Sequence, residues 1–341
     1  MKKLLCFLLI LLIGPGIFSC KAARLEYFGI SEAESSEGES LSDISDETPE
    51  ESHTYEPSDI TPCLWKVTSD EDEGIIWLFG SIHVADESAY PLPPAVMRAF
   101  DSSDCLAVEI NRYDDAFDDF DFFEFMSYKD GSKIYEKIPA KLYRDSFKLL
   151  ESFYSIDKQH LDSYLPIAWE MILNDIPMYL SGLSYEYGID NFFMEQAYDA
   201  GKTILQLESI ESQSEMLVSF SHDLQIMMLA DIVYTDMQQA AESLLGLYEK
   251  WKTGELSELC FYSDLEEGMY TEYELVLIEE YNDAMITQRN IGMYETAVGY
   301  ISDGLEVFYV VGAAHMLGED GIVQLLINDG YTVEPIDTAQ G

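Results

Sequence analysis

Basic residues are scarce in this chain. Only 18 of its 341 residues are lysine or arginine, against 65 aspartates and glutamates, and the formal net charge is −47. A surface of that sign repels phosphate groups, so the composition excludes nucleic acid as a partner and disfavours anionic lipid headgroups. It favours cations and basic peptides instead.

Cysteine is equally sparse, with five in the chain, two of them near the N-terminus. The other three show no CxxC spacing, so the sequence predicts neither a disulfide framework nor a zinc–thiolate site; they are Cys63, Cys105 and Cys260. Hydrophobic residues make up 48% of the chain, which is enough for one large globular domain or two ordinary ones.

The first twenty residues, MKKLLCFLLILLIGPGIFSC, have the pattern of a signal peptide. Two lysines precede an apolar run that is too short for a comfortable membrane span. The segment Ile17–Cys20 resembles a bacterial lipobox, in which the cysteine is diacylated. We therefore expect residues 1–20 to be a signal peptide with a lipobox, which is cleaved so that Cys20 becomes the lipidated mature N-terminus. The mature protein is then lipid-anchored, extracytoplasmic and bacterial, and it meets the membrane only through its anchor. Ordinary cleavage and a retained anchor helix are the alternatives.

Residues 21–60 form the next segment, which is acidic and contains few large apolar residues beyond its first ten positions. Such a composition buries too little surface to offset chain entropy, so it predicts a disordered tether. His53 lies here and is interpreted as solvated. The globular domain is expected to occupy residues 61–341.

Within that domain the apolar runs predict an α/β fold with a central mixed β-sheet, flanking helices and a large helical insertion. Residues 63–79 are typical of a hairpin, and the order of strand, helix and strand through residue 110 suggests parallel pairing. The middle is mostly helical, and its aromatic segment FDDFDFFEF is interpreted as core or the wall of a substrate groove. Long helices are expected at 211–252 and 266–302. His160 and His222 are interpreted as structural or exposed.

Two strands end in the same pattern, Gly-x-x-His. The first is Gly80–His83 and the second is Gly312–His315. Glu109 and Glu208 end two further predicted strands. Sites in α/β proteins form where strands end, so we expect the two Gly-x-x-His ends to meet at one cleft. Two imidazoles and a carboxylate form a plausible divalent-metal site, and a second carboxylate can act as general base. Each histidine taken alone is equally explained by packing.

The sequence resembles the TraB/GumN family. The resemblance rests on WLFGSIHVADESAYPLP, LAVEI, YGIDNFFMEQAYDAGKTILQLESIESQ, QRNIGMYETAVGYI and FYVVGAAHMLGEDGIVQLLINDGYTVEPI, which follow one another over residues 62–336. The family is related to the Tiki-type metalloproteases, so the resemblance implies a divalent metal (Mn, Co or Zn). It implies His83, His315 and Glu109 as ligands. It also implies catalytic roles for Glu109, Glu208 and Arg289, with supporting roles for Gly80, Ser81, Asp190, Asn290 and Gly312.

Two of these residues have alternative interpretations. Arg289 could bind a substrate carboxylate or stabilise an oxyanion, or it could form an ion pair with Glu109 or Glu208. Asp190 could orient a neighbour or cap a helix.

The expected function is that of a metal-dependent hydrolase, peptidase-like, with a peptide or protein substrate. The alternative is a non-catalytic module of the same fold that sequesters a peptide or a haem-like ligand. A third possibility is a surface interaction protein whose histidines only pack.

Overall fold

The computed structural model describes residues 55–118, 120–154, 158–255 and 270–339. The signal peptide, Cys20, His53, Cys260 and most of the tether lie outside these ranges. Ordered packing begins before residue 61, because the hydroxyl of Tyr55 donates a hydrogen bond to Asp101 and Ile60 is buried.

Six strands form one mixed sheet, which confirms the predicted α/β class. The four strands β2, β3, β4 and β5 run parallel, and β1 pairs antiparallel with β2 and β6. The order across the sheet is β4-β3-β5-β2-β1-β6. The bounds are β1 Leu64–Thr68, β2 Ile75–Ser81, β3 Cys105–Val108, β4 Thr203–Gln206, β5 Glu306–Gly312 and β6 Thr332–Ile336.

The strands β2 and β3 are not neighbours, although they are consecutive in sequence. Strand β5, which comes from the C-terminal part of the sequence, lies between β2 and β3 in the sheet and is parallel to both. In this register Ser81 lies opposite Gly312. The two Gly-x-x-His strands are therefore adjacent, and their histidines leave the same edge of the sheet.

Ten α-helices of seven or more residues are present in the described ranges. They are α1 Pro94–Ser102, α2 Ala140–Phe153, α3 Pro166–Ser181, α4 Ile189–Ala200, α5 Ile210–Ser219, α6 His222–Tyr234, α7 Met237–Thr253, α8 Glu272–Asn282, α9 Gln288–Ser302 and α10 Ile322–Asn328. Single helical turns occur at Asp115–Asp118, Phe122–Phe125, Ile134–Lys137 and Lys158–Leu161, with 3₁₀ turns at Glu87–Ala89, Tyr185–Tyr187 and Ala313–Met316 and a π segment at Asp283–Thr287.

The long helix predicted over residues 211–252 is wrong, since three helices occupy this region. Ser221 caps α6 by accepting a hydrogen bond from the backbone N–H of Leu224, and Asp236 caps α7 in the same way. Both residue types are strong N-caps that interrupt an otherwise continuous apolar pattern. In the described part of the chain no single helix could span a membrane. Only the pair α5 and α6, taken together, is long and apolar enough for a membrane span, by length and composition alone, and this pair is bent by 95°.

The core lies on both faces of the sheet. On one face Phe79, Phe193, Phe308 and Trp251 pack together, and the indole N–H of Trp251 donates to the carbonyl of Gly80 at 2.8 Å. The helical insertion has cores of its own, and Phe122 from the aromatic segment is buried in one of them. The interpretation of that segment as core is confirmed for this residue. The sheet edge carrying the histidines is thus supported by packed aromatic side chains.

Candidate active site

The four parallel strands deliver one polar group each to the same edge of the sheet. Glu109 follows β3 and Glu208 follows β4, and the backbone N–H of Glu208 donates to the carbonyl of Glu109 at 2.9 Å. The carboxylate Oε1 of Glu109 accepts a hydrogen bond from the N–H of Gly312 at 2.7 Å. His83 leaves the end of β2 on the neighbouring strand. Residues distant in sequence are thereby brought together by strand pairing alone.

The two motif glycines serve different purposes. A Cβ on Gly80 would lie 3.2 Å from the Cα of Ala313, so this glycine allows the turn after β5 to approach the sheet closely. A Cβ on Gly312 would lie 3.4 Å from Oε1 of Glu109, 3.6 Å from Cδ2 of His315 and 3.7 Å from Nε2 of His83. Gly312 therefore leaves space between the three groups for which a metal role was predicted.

His83 is held from one side by Asp190. Its Nδ1 lies 2.6 Å from Oδ2 of Asp190, whose other oxygen accepts from the hydroxyl of Ser81 at 2.6 Å. Burial opposes charge on His83, but the Asp190 carboxylate outweighs it and raises the pKa of the imidazole. With Nδ1–H donated to Asp190, Nε2 presents its lone pair to the site. This buried atom has no hydrogen-bond partner among the described residues.

His315 is held in a similar way by an uncharged partner. Its Nδ1 lies 2.6 Å from Oδ1 of Asn290, which fixes the tautomer with Nδ1 protonated. Its Nε2 lies 3.0 Å from Nη1 of Arg289 and accepts a hydrogen bond from it. Burial, followed by the nearby Arg289 guanidinium, lowers the pKa of His315 to about 3. This imidazole is therefore neutral, and its Nε2 lone pair is occupied by Arg289.

Arg289 lies between Glu109, Glu208 and His315 and contacts all three, so that these four side chains form one cluster. Its Nε donates to both oxygens of Glu208 at 2.9 and 3.0 Å, and its Nη2 donates to Glu208 at 2.6 Å and to Glu109 at 2.7 Å. Nη1 contacts His315 and, at 3.4 Å, the carbonyl of Met285. Each guanidinium nitrogen therefore already has an acceptor. Burial favours the neutral carboxyl group, but the Arg289 guanidinium outweighs burial and holds the pKa of Glu109 below its usual range.

The position of Arg289 follows from a local irregularity in the chain. The π segment Asp283–Thr287 joins α8 to α9, and Arg289 and Asn290 lie in the first turn of α9. π segments are rare and occur frequently at functional sites. In the first turn of α9, these adjacent residues contact the same imidazole, Arg289 at Nε2 and Asn290 at Nδ1.

Asp190 lies in the first turn of α4, whereas the N-cap of that helix is Gly188 without a side-chain cap. A Cβ on Gly188 would lie 2.3 Å from the carbonyl oxygen of His83, so this glycine allows α4 to approach the histidine loop. Asp190 orients His83 and Ser81 and does not cap the helix. Burial raises the pKa of Asp190, but its bonds to these two residues outweigh burial and lower it overall.

Two residues near the site were missed from the sequence. Nη1 of Arg112 donates to Oδ1 of Asn191 at 2.6 Å, and no carboxylate of the described residues lies within ion-pair distance of Arg112. Burial lowers the pKa of Arg112, although the nearby Asp190 opposes this effect. The available signal was the rarity of bases, because an arginine three residues after Glu109 is unusual in so acidic a chain.

The charges of the cluster do not balance. Asp190 and Glu109 are ionised because their pKa values are lowered, and Glu208 adds a third carboxylate. Arg289 and, at the edge, Arg112 supply two positive charges. One negative charge therefore remains among buried and half-buried groups while both imidazoles are neutral. A bound cation or a proton on His83 would neutralise it.

The donor atoms fit a divalent cation in their chemistry. Both imidazoles have their Nδ1–H fixed by an oxygen, as ligating histidines usually do, and Glu109 adds a carboxylate oxygen. Nε2 of His83 has no hydrogen-bond partner in the described part of the chain, whereas Nε2 of His315 is engaged by Arg289. Within the described ranges no set of three or more His, Cys, Asp or Glu side chains already has the spacing of a metal site.

Comparison with known proteins places the chain in a family. Residues 63–335 match the family model of the TraB/PrgY/gumN family. The chain is 24% identical over 255 residues to the uncharacterized protein YbaP of Escherichia coli K12, covering 73% of this chain and 86% of that protein. YbaP of Shigella flexneri matches to the same extent. No solved structure matches the chain. The matched region runs from just before β1 into β6, so it includes the whole candidate site.

Proposed function

We propose that this chain, which belongs to the TraB/PrgY/gumN family, is a divalent-cation-dependent hydrolase that acts on peptides. The observation that carries the proposal concerns Nε2 of His83, which is buried beside the space that Gly312 leaves and has no hydrogen-bond partner among the residues that the structure describes. In the proposed site His83, His315 and Glu109 hold the cation, which is Mn²⁺, Co²⁺ or Zn²⁺. When bound, such a cation polarises a carbonyl and lowers the pKa of water.

The other side chains hold this arrangement. Asp190 and Asn290 keep the two imidazoles in the tautomer that directs Nε2 toward the site. Arg289 fixes Glu109 and Glu208 and neutralises part of their repulsion. Since its nitrogens are already engaged, we assign Arg289 this holding role and not the binding of a free oxyanion.

Glu208 is the better of the two candidates for general base. The exposed fraction of its side chain is 19%, against 5% for Glu109, so water reaches it more easily. Its Oε2 accepts a hydrogen bond from Gln213 at 2.8 Å, which orients the carboxylate. In this assignment Glu208 takes a proton from the attacking water, and Glu109 remains a ligand.

The first test is titration calorimetry of chelator-treated protein with Mn²⁺, Co²⁺ and Zn²⁺ in 150 mM salt. We expect one saturable site that is lost in His83→Ala and in His315→Ala but kept in His160→Ala, since His160 is exposed. Circular dichroism establishes that each variant is folded. Identical titrations for all four proteins would contradict the proposed site, because they would reflect only the acidic surface.

Activity is tested separately with a peptide library and mass spectrometry. We expect metal-dependent cleavage by the wild type, none by His83→Ala, and a strong loss in Glu208→Gln. Glu272→Gln, which removes an exposed carboxylate, is the matched control. Cleavage that survives in His83→Ala would exclude His83 from the reaction.

A second candidate function is binding without turnover. It is favoured by one contact, the hydrogen bond from Nη1 of Arg289 to Nε2 of His315, which competes with a metal for that lone pair. A protein of this kind would retain peptides, or a haem-like ligand, without cleaving them. Binding of library peptides without any cleavage product, with and without metal, would support this alternative over the hydrolase.

The cellular location is also a proposal. The lipobox-like segment ending at Cys20 supports a lipid-anchored, extracytoplasmic protein. In a bacterial host, labelled fatty acid is expected to enter the wild type and not Cys20→Ser. Equal labelling of the two proteins would remove the basis for the anchor.

A further inference from the structure

A cavity of about 640 Å³ lies beside the start of α1 and the segment that leads into α4. Four half-buried aromatic residues line it: Tyr55, Tyr90, Tyr187 and Phe192. The hydroxyl of Tyr90 donates to the carbonyl of Tyr187 at 2.9 Å, and the rings of Tyr90 and Phe192 lie 5.0 Å apart. These contacts hold the aromatic wall in place, so the cavity is formed before any ligand arrives.

Three carboxylates line the same cavity: Glu56, Glu186 and Glu195. All three are exposed, and none forms an ion pair with another residue of the described ranges. Among the described residues, no lysine, arginine or histidine lines the cavity. The charge of Arg98 opposes the rise in the pKa of Tyr55, but Arg98 does not line the cavity.

Aromatic faces combined with carboxylates select an organic cation. The ring quadrupole attracts an ammonium or guanidinium group, and the apolar wall accommodates a methylene stem. An anionic ligand would be repelled by the three carboxylates, and a neutral apolar ligand would leave them without a partner. The side chains of lysine and arginine combine a positive head with an apolar stem, as this lining requires.

The chain segment that lines one side of the cavity leads directly into the proposed active site. Tyr187 is followed by Gly188, whose close approach to the carbonyl of His83 was described above, and then by Asp190, which holds the imidazole. Burial raises the pKa of Tyr90, and among the surrounding charges the Asp190 carboxylate adds most to this effect. The cavity and the loop that carries His83 are therefore joined by the segment that contains Tyr187, Gly188 and Asp190.

We propose that this cavity is a subsite for the side chain of a lysine or arginine, and that basic peptides are the substrates of this protein. The assignment of substrates rests on the proposed function, whereas the binding of the basic side chain does not. The net charge of −47 favours the same class of peptide at long range, and the cavity adds local selection.

The test compares two pentapeptides in chelator-treated full-length protein by calorimetry in 150 mM salt. One is acetyl-Ala-Ala-Lys-Ala-Ala-amide, and the other has norleucine in place of lysine, so the stem is kept and the charge is lost. We expect the lysine peptide to bind about tenfold more tightly. Equal affinities would overturn the proposal.

Variants separate the cavity from the acidic surface as a whole. Glu186→Gln combined with Glu195→Gln is expected to lower affinity for the lysine peptide about fivefold or more, and Phe192→Leu about threefold. The control is Glu211→Gln combined with Glu272→Gln, which removes two exposed carboxylates outside the cavity. An equal loss in that control would overturn the proposal, because it would show that only overall charge matters.

Two further outcomes distinguish this inference from the proposed function. Metal-free binding of the lysine peptide that depends on Glu195, without cleavage after metal is added, supports the subsite and rejects the hydrolase. Spermidine, a free polyamine, serves as a competitor. If spermidine binds in a Glu195-dependent manner and the lysine peptide does not, the assignment to peptides is wrong.

Discussion

Replacing Arg289 with methionine tests whether the buried charge network has the energy that its geometry implies. The variant keeps an apolar side chain but removes the guanidinium from Glu109 and Glu208. Glu109 is 5% exposed, and among the described residues the backbone N–H of Gly312 would be its one remaining hydrogen-bond donor. Breaking a buried pair by removing one partner typically costs about 3–5 kcal/mol.

Protonation of Glu109 limits the cost of leaving its charge unpaired in the variant, and the lost attraction to Arg289 adds to that cost. Protonating a carboxyl group with the ordinary pKa of 4.5 costs about 3.4 kcal/mol at pH 7 and about 0.7 kcal/mol at pH 5. In the wild type the pKa of Glu109 lies below its usual range, so the residue stays ionised over this interval. In the variant it becomes protonated in the folded state. We therefore expect Arg289→Met to lower the free energy of unfolding by about 3 kcal/mol at pH 7, and by about 1 kcal/mol at pH 5.

Urea unfolding followed by tryptophan fluorescence measures this difference, since Trp169 and Trp251 are fully buried. The double variant Arg289→Met with Glu109→Gln should recover at least about 1.5 kcal/mol of the loss at pH 7. The control is Lys141→Met, which breaks an exposed ion pair with Asp145 and should leave unfolding unchanged. A pH-independent loss below about 1 kcal/mol in Arg289→Met would refute the reasoning, because the carboxylates would then not depend on the arginine.

Three further predictions concern single residues. Gly312→Ala should leave the melting temperature nearly unchanged but weaken cation binding at least about tenfold, whereas Gly80→Ala should lower the free energy of unfolding by about 1–3 kcal/mol because its Cβ would contact the backbone. Calorimetry measures the cation binding and thermal melts measure the stability, and the reverse pattern would contradict the roles assigned to the two glycines. Asp190→Asn should weaken cation binding about 10–100-fold by calorimetry, and unchanged binding would show that Asp190 does not support the site. Glu170 is fully buried, and burial raises its pKa to about 8. Its contribution to stability is therefore present below about pH 4.5 and is lost as the pH rises to about 8. Glu170→Gln should remove the decrease in the free energy of unfolding between pH 5 and 8, measured with urea, and an unaltered decrease would show that Glu170 is already ionised.

Local patterns in the sequence were enough to predict the sheet-forming segments. Strands β2 and β5 are apolar runs that end at a serine and a glycine, and both were expected near their observed bounds. Membership of the TraB/PrgY/gumN family could also be predicted from the sequence, because the motifs of the family follow one another in order along the chain. The division of residues 211–252 into three helices was missed, although Ser221 and Asp236 are caps that the sequence displays.

Contacts between distant segments were not predictable in the same way. No local pattern indicates that β5 lies between β2 and β3, because strand order depends on how the helical insertion packs. The pairing of Arg112 with Asn191 depends likewise on the approach of α4 to the loop after β3. The sequence named Arg289 and offered two roles for it, and only the observed distances show it bound to both glutamates.

The sequence by itself determined the strongly acidic surface, the segments that form strands, and the identity of the residues at the strand ends, because these depend on composition and on neighbours along the chain. Tertiary structure alone decided what each polar atom faces. Strand register placed Ser81 opposite Gly312, and burial then required nearly every polar atom to find a partner. Nδ1 of His83 is hydrogen-bonded to Asp190, so Nε2 of the same ring faces the open space at Gly312, which is the place of the proposed chemistry.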